Sequence, residues 1–399
     1  MVREMGFDEI RDRKGTYCTQ WDYVKDRFGK DNLLPFTISD MDLESPKEIV
    51  DALLKRINHR IFGYSRWNHD DFKNSIEYWY ESRHSCKIDK EWIVYSPSVI
   101  YAVSKFIEMK SSKGDGVLIN TPGYDGFFKV IVDNDREVIE SPLKRVDGKY
   151  EIDFEDFEAK CQRAKIFLLC SPHNPTGRVW SRDELQKMIE ICKKYGVYII
   201  SDEIHMDIIY EGQHRPIVSE GGDYMENIIL CTSASKTFNI PALCGSYLFI
   251  PSQKDRDEFL RILKNRDALS SPSILAVIAT IETYNRCGYW VDELVKYTRS
   301  NICFVKEYLE KNIPQLSCEI PQGSYFAWID FSKLEISSEE FQKYLIETGG
   351  IAVMPGLTYG EAGRYFLRLN VGCSVKKVQD GLERIKKAVD QIEKDRTNL

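Results

Sequence analysis

No stretch of the sequence approaches the roughly 18 to 20 consecutive apolar residues that cross a bilayer, so no membrane-spanning helix is expected. Basic residues are not in excess either. Fifty-five Lys and Arg stand against 62 Asp and Glu, a net charge of −7 with the two signs interleaved, which removes the electrostatic case for nucleic acid or an anionic membrane as partner. Paired CxxC units, an HExxH, a GxGxxG and a Walker loop are all missing, leaving no support for a zinc site, a dinucleotide or a nucleoside triphosphate. There is no internal repeat or low-complexity segment. The opening residues MVREMGFDEIRDRKG carry charge and no hydrophobic stretch, so no secretory signal is expected and a cytoplasmic location is.

What is present fits a folded, cytosolic protein. Hydrophobic residues make up 43% of the 399 and aromatics 12%, far above disordered chains. At about 150 residues per domain the length suggests two to three units. The eleven cysteines are odd in number, and several sit inside apolar runs (Cys170 in IFLLC, Cys192 in MIEIC, Cys231 in IILC). They read as reduced, mostly structural thiols.

From about residue 90 to 250, near-continuous apolar runs alternate with helical patterns. WIVYS (92–96), GVLIN (116–120), KIFLLC (165–170), VYIIS (197–201), NIILCTS (227–233) and SYLFI (246–250) have the composition of strands buried on both faces. Between two of them SRDELQKMIEICKKYG (181–196) opens on an N-cap serine with Glu184 three residues on, and closes at Gly196. That rhythm predicts a mostly parallel sheet covered by helices. A long helical region (about 254–313) then leads to SYFAWIDF (324–331), IAVMPG (351–356) and YFLRLNVG (365–372), a smaller α+β unit. The expected division is an N-terminal segment, 1–45, associated with the small domain, a large domain, 46–285, and a small C-terminal domain, 286–399.

Open α/β sheets bind ligands beyond the carboxyl ends of their strands. Five strand-end loops bring chemistry there: PSVIY after WIVYS, TPGYDG after GVLIN, SPHNPTG after KIFLLC, DEIH after VYIIS and SASKTFN after NIILCT. Singly, Asn174 could be a turn residue, Asp202 a helix cap, Lys236 an exposed lysine and Tyr124 a packing residue. Together they answer one demand, a planar phosphorylated aldehyde held by a lysine. An acid keeps its ring nitrogen protonated, an aromatic covers its face, an amide donor meets its ring oxygen, and hydroxyls with a helix N-terminus take its phosphate. His205 with Asp202, Glu203 and Asp207 could be read as a metal cluster, but alternation along a strand sets them on opposite faces, and no metal is expected.

With Asp202 28 residues after Asn174 and S-x-S-K 34 after that aspartate, the chain resembles the fold-type I pyridoxal-phosphate enzymes. The strings SPHNPTGRVW, SDEIHMD and SKTFNIPAL look like the MalY/PatB-type cystathionine β-lyases (C–S lyases), and the resemblance runs from S-D-M-D (39–42) to RLNVGCS (368–374). It implies an α/β fold whose large domain holds a mostly parallel seven-stranded sheet, and pyridoxal 5'-phosphate as cofactor. Lys236 would be the Schiff-base lysine and proton carrier at Cα, Asp202 the partner of the pyridinium nitrogen, Asn174 the partner of the ring oxygen and Tyr124 the stacking ring. Ser98, the backbone amides of Val99 and Ile100, and Ser233 would hold the phosphate, with Ser235 and His205 completing the cofactor site. Arg368, with Asn174, would bind substrate, its bidentate fork clamping the α-carboxylate. Tyr64, in FGY (62–64), matches a tyrosine that reaches across a dimer interface, implying a homodimer with shared active sites in which Tyr64 and Tyr124 join Lys236 as catalytic residues.

Two positions depart from the wider aminotransferase pattern: His205 stands where a tyrosine is common and Cys244 where an arginine often meets the phosphate. Both fit the C–S lyase branch. The expected activity is β-elimination on an amino-acid thioether such as L-cystathionine, giving a thiol, pyruvate and ammonia. Transamination on the same scaffold is the alternative, separated by a kinetic preference in which about 1.4 kcal/mol is tenfold. An additional regulatory role through protein–protein contact is a third reading.

Overall fold

Strands buried on both faces require near-continuous apolar runs, and the central part of the chain supplies them. The computed structural model describes residues 5–397; residues 1–4 and 398–399, the outer ends of the expected N-terminal segment and C-terminal domain, lie outside the described residues. Helix α1 (Val24–Phe28), strand β1 (Leu34–Phe36) and helices α2 (Lys47–Asn58) and α3 (Asp70–His84) come first. Then β2 (Ile93–Ser96), α4 (Val99–Lys110), β3 (Gly116–Thr121), α5 (Asp125–Asp133), β4 (Glu137–Pro142), the hairpin β5 (Lys144–Val146) and β6 (Lys149–Glu151), and α6 (Phe154–Cys161) follow. After β7 (Ala164–Cys170), α7 (Arg182–Tyr195), β8 (Tyr198–Asp202), β9 (Ile228–Thr232) and β10 (Ser246–Phe249), the chain enters α8 (Gln253–Arg261), α9 (Ile274–Arg286) and α10 (Gly288–Asn312). It ends through β11 (Ser317–Cys318), β12 (Phe326–Asp330), α11 (Ser338–Tyr344), β13 (Ile351–Pro355), β14 (Phe366–Asn370) and α12 (Val375–Thr397).

Seven strands form one sheet in the order β2-β10-β9-β8-β7-β3-β4. Only β10 runs against its neighbours, so the sheet is mostly parallel, as predicted. Every residue of β2, β3, β8, β9 and β10 is buried, the signature of strands covered on both faces. Helix α7 carries the expected capping box, Ser181 with Glu184, and closes on Gly196 in the left-handed region at φ 68°. The register sets Cys170, Asp202 and Cys231 side by side, so β7, β8 and β9 deliver their following loops to one rim.

A second sheet of five strands has the order β1-β13-β14-β12-β11, with β1 parallel to β13 and the other pairs antiparallel. The segment before α2 therefore pairs directly with the C-terminal strands. None of the eleven cysteines is in a disulfide, and nine are buried.

Three details differ from the sequence reading. Strand β4 has no continuous apolar run; it pairs only with β3, and its residues alternate in burial as a sheet edge allows. The helical region over 254–313 is broken between Asp267 and Ser273, where Ser-Ser-Pro272 cannot continue a helix. Strand β8 ends at Asp202 and a turn follows, so strand alternation does not govern where Glu203, His205 and Asp207 point.

The loop after β7 is braced against the loop before β12. Gly177 donates its N–H to His173 O at 2.7 Å and accepts from Gly323 N at 2.9 Å, at φ +67°. A Cβ there would meet Gly323 O and would lie 2.5 Å from Pro321 Cβ. Gly177→Ala should therefore cost about 2 kcal/mol or more, from left-handed strain plus the clash. A chemical-denaturation midpoint equal to that of the parent chain would contradict this placement.

Candidate active site

Beyond the carboxyl ends of β7, β8 and β9 lies a cavity of about 210 Å³ whose walls include Ser98, Tyr124, Asn174, Asp202, His205 and Lys236. Each arrives by a short route from a rigid element. Asp202 is the last residue of β8. Lys236 follows β9 by four residues and Asn174 follows β7 by four. Tyr124 precedes the first residue of α5. Ser98 caps α4, its Oγ accepting from Tyr101 N at 3.1 Å. That cap leaves the first N–H groups of α4, those of Val99 and Ile100, without intrahelical acceptors at the positive end of the helix dipole. Ser233, Ser235, Val99 and Ile100 line the same cavity. Ser233 Oγ donates to Gly245 O at 2.6 Å and accepts from Ser235 N at 3.1 Å, which fixes the turn leading to Lys236.

Burial sets the electrostatics. Asp202 is pushed up from its ordinary 3.8 to about 7 by desolvation, with only the Ile204 N–H, at 3.1 Å, and the Lys236 charge opposing it. Lys236 is pulled down to about 8, again by burial first, while Asp40 and Asp202 hold it up. Its Nζ donates to Ser39 O at 2.8 Å. His205 is pulled down to about 3 by burial and by the charges of Lys236 and Arg368, so its imidazole is neutral, and its Nδ1 has no partner among the described residues. Tyr124 is pushed up to about 12 by burial, with Asp125 and Asp202 adding to it.

Arg368, on β14, is buried with its guanidinium 4.1 Å from the Phe326 ring centroid and 5.0 Å from that of Tyr359. Nη1 donates to Asn174 Oδ1 at 3.0 Å and Nη2 to Thr37 O at 2.8 Å, while Nε is unpartnered among the described residues. Arg368 and Asn174 thus meet across the two sheets.

Of the residues singled out from sequence, Lys236, Asp202, Asn174, Tyr124, Ser98, Val99, Ile100, His205, Ser233 and Ser235 come together on this cavity, and Arg368 joins them through Asn174. Tyr64 does not. It lies fully exposed beside Ile61 and Phe62, themselves 65% and 61% exposed. The acidic residues after β8 also part company. Glu203 binds His214 at 2.7 Å and Asp207 binds His84 at 3.1 Å, away from the cavity, and among the described residues no group of three or more His, Cys, Asp or Glu could hold a metal. Sequence reasoning missed Ser39, whose carbonyl reaches Lys236, and Ser246 and Cys170 in the cavity wall. Only the S-D-M-D string hinted at the first.

A fold with a mostly parallel seven-stranded sheet, a second sheet carrying an arginine, and a buried aspartate sharing a cavity with a half-buried lysine defines a class, and comparison with known proteins agrees. The family model for aminotransferase class I and II matches residues 31–385, and the chain belongs to that family. Its architecture is the fold-type I arrangement expected from sequence. The protein MalY of Escherichia coli (strain K12) is 46% identical over 390 residues, covering 97% of this chain and 99% of that one. Cystathionine beta-lyase PatB of Bacillus subtilis (strain 168) is 38% identical, over 96% of this chain and all of that one (100%). The solved structure of the PLP-bound C-S lyase from Staphylococcus hominis superposes with a TM-score of 0.91 at 29% identity, covering 97% and 99% of the two chains.

The raised Asp202 carboxyl has a consequence for stability. Between about pH 4 and pH 7 the folded chain holds a proton there that the unfolded chain has released, so folding stability falls as pH rises through that window. Asp202→Asn removes the titrating group. In the full-length chain without added ligand it should melt higher than the parent, the advantage growing from pH 4 to 7 and levelling above, on the order of a few kcal/mol at most. A variant whose advantage is independent of pH would contradict the buried, ligand-free carboxyl.

Proposed function

We propose that this chain is a pyridoxal 5'-phosphate-dependent carbon–sulfur β-lyase that converts L-cystathionine or a related S-substituted cysteine, with water, to a thiol, pyruvate and ammonia. The observation that carries it is the cavity in which a half-buried lysine with a lowered pKa shares walls with a buried carboxyl, the N-terminus of α4 and a run of hydroxyls. Support comes from the likeness to PatB, a cystathionine beta-lyase, and to the C-S lyase from Staphylococcus hominis, a PLP-bound protein.

The donor set fits that cofactor. Asp202 has little hydrogen bonding of its own, so a protonated ring nitrogen is the partner that restores its charged form. The N-terminus of α4 with Ser98, and the hydroxyl of Ser235, form an anion site suited to a phosphate; Ser233, beside them, would join it by turning its hydroxyl proton from Gly245 O. Bound pyridoxal phosphate supplies an aldehyde that condenses with amines and a protonated ring that draws electrons from the amine-bearing carbon.

The chain's own residues do the rest in this reading. Lys236 would hold the cofactor through its amine and, once released, its Nζ would take the proton from the substrate Cα; with its pKa lowered to about 8, more of the amine is free base near neutral pH than in an ordinary lysine. Asp202 keeps the ring nitrogen protonated. Asn174 would meet the ring oxygen and Tyr124 would cover the ring face, with the neutral imidazole of His205 in the wall of the same cavity. Arg368 binds the substrate carboxylate and so sets which Cα bond faces Lys236. Its guanidinium lies against the rings of Phe326 and Tyr359, and its Nε, unpartnered among the described residues, is a donor left for that carboxylate.

The exposed Ile61, Phe62 and Tyr64 segment suits a homodimer in which Tyr64 completes the partner's site. We further propose that residues 46–285 form the large cofactor-binding domain and 286–399 the small one, with 1–45 attached to it through β1. The free thiols fit a reducing, cytoplasmic setting.

The decisive assay is incubation of the cofactor-loaded enzyme with L-cystathionine in the absence of any α-keto acid. Thiol and pyruvate should appear in equal amounts over many turnovers; amino-group transfer that starts only when an α-keto acid is added would replace this reading with transamination. Lys236→Ala should lose at least about a thousandfold in kcat, and Arg368→Lys should raise KM about tenfold or more with a smaller effect on kcat. Co-expressing Tyr64→Ala with Lys236→Ala in equal amounts should restore about a quarter of wild-type activity, since half of the dimers are then hybrid and each has one intact site. No recovery would rule out sites shared through Tyr64.

A further inference from the structure

The string Ser39-Asp-Met-Asp42 is prominent in the sequence, and the mechanism above leaves it without a task. In the structure this loop lies over Lys236, and the two carbonyls flanking Ser39 are held by one residue of the small sheet to which β1 belongs. Asn370, buried and two positions after Arg368 on β14, donates both hydrogens of Nδ2 to the backbone: to Ile38 O at 2.6 Å and to Asp40 O at 2.6 Å. Its Oδ1 in turn accepts from Gly372 N at 2.8 Å, which fixes the amide's orientation. With the carbonyls on either side of Ser39 drawn to one nitrogen, the Ser39 carbonyl is left facing the other way. There it accepts from Lys236 Nζ at 2.8 Å and from Tyr325 OH at 3.1 Å. Arg13 secures the far side of the loop through Asp40 at 2.7 Å and Asp42 at 2.8 Å.

We propose that Asn370 is a positioning residue for Lys236: by pinning the Ile38 and Asp40 carbonyls it presents the Ser39 carbonyl as the resting partner of the lysine amine whenever that amine is not covalently engaged. The inference rests on the proposed role of Lys236 as proton carrier, which requires an amine that is held in place between its release and its attack on the Cα proton. A backbone carbonyl suits that task. It accepts a hydrogen bond from either protonation state of the amine, carries no proton of its own, and cannot compete for the substrate's.

A carbonyl acceptor favours the ammonium over the free amine, so losing it must lower the pKa of Lys236. The charged groups acting on Lys236 are Asp40 and Asp202, which raise it, and Arg368, which lowers it; the experiment leaves all three in place. In the full-length chain without cofactor, the pH dependence of Lys236 acetylation by acetic anhydride, followed by mass spectrometry, reports the midpoint directly. Asn370→Leu, close in shape to asparagine but without its donors, should move that midpoint down by about one pH unit. Asn370→Ser, which keeps one donor, should shift it less. Asn301→Leu is the matched control. Asn301 also pins two alternate carbonyls, but they are those of Val371 at 3.0 Å and Cys373 at 2.9 Å, in the turn after β14 rather than in the Ser39 loop. This variant should destabilise the fold comparably and leave the midpoint unchanged.

An unchanged midpoint in a folded Asn370 variant, or an equal shift in Asn301→Leu, overturns the proposal. Should neither Asn370 variant fold, the unaltered chain decides the matter. Labelling serine at the carbonyl carbon and aspartate at nitrogen isolates two Ser-Asp peptides, 39–40 and 201–202. The 39–40 signal should titrate with the acetylation midpoint and lose that titration in Lys236→Ala; a signal indifferent to pH refutes the pairing. Because none of these readouts involves turnover, a failure here is separable from a failure of the lyase assay.

Discussion

The desolvation of a buried carboxyl at the end of β8 and of a half-buried amine in the loop after β9 is the constraint around which this molecule is arranged. Desolvation opposes charge on both, and each is displaced toward neutrality: Asp202 up to about 7, Lys236 down to about 8. Leaving charged groups short of partners inside a protein costs several kcal/mol each, and such an arrangement persists only in a scaffold rigid enough to enforce it. The seven-stranded sheet is that scaffold. Its central strands are buried throughout, and the Cys170–Asp202–Cys231 register leaves the end of β8 no freedom to turn the carboxyl toward water.

The neighbouring acids show that the poverty of partners at Asp202 is specific to it. Three carboxylates follow one another within six residues, and all are buried. Glu203 accepts from Ser201 Oγ at 2.8 Å, His214 at 2.7 Å and Ile217 N at 2.9 Å. Asp207 takes Trp79 Nε1 at 3.0 Å, His84 at 3.1 Å and Thr237 Oγ1 at 2.7 Å. Although burial pushes Asp207 up, His84, Thr237 and Trp79 together hold it below the usual carboxylate value. Asp202 has one backbone N–H. The carboxyl that faces the cavity is the one left for a ligand to satisfy, while Asp207, through Thr237, ties the residue after Lys236 to α3.

Much of this is legible in the sequence, for a physical reason. Side chains that follow apolar runs in a parallel sheet must gather at one rim, so Asn174, Asp202, Lys236, Ser98 and Tyr124 group together on strand order alone. The edge strand β4 escapes because an edge alternates where a central strand does not. The Ser39 contact escapes for a different reason: its acceptor is a backbone carbonyl 197 positions from the lysine, and a carbonyl leaves no trace in residue identity. Tyr64 escapes as well: it is fully exposed in the single chain and stands away from the cavity.

The small sheet acts on the active site through side chains of a single strand. Arg368 holds Thr37 O and Asn174 Oδ1; two residues on, Asn370 holds Ile38 O and Asp40 O. One strand therefore grips three carbonyls of the segment from Thr37 to Asp40 and one side chain of the loop after β7. The segment itself is anchored from β1, which pairs with β13 in the same sheet. The guanidinium of Arg368 and the amide of Asn370 stand one strand repeat apart, on the same face of β14, so under the proposed roles substrate orientation and amine position would both be set from one rigid element. Any displacement of β14 relative to the large sheet moves both together. That shared dependence ties the segment from Thr37 to Asp40 to the cavity, where the Ser39 carbonyl reaches Lys236.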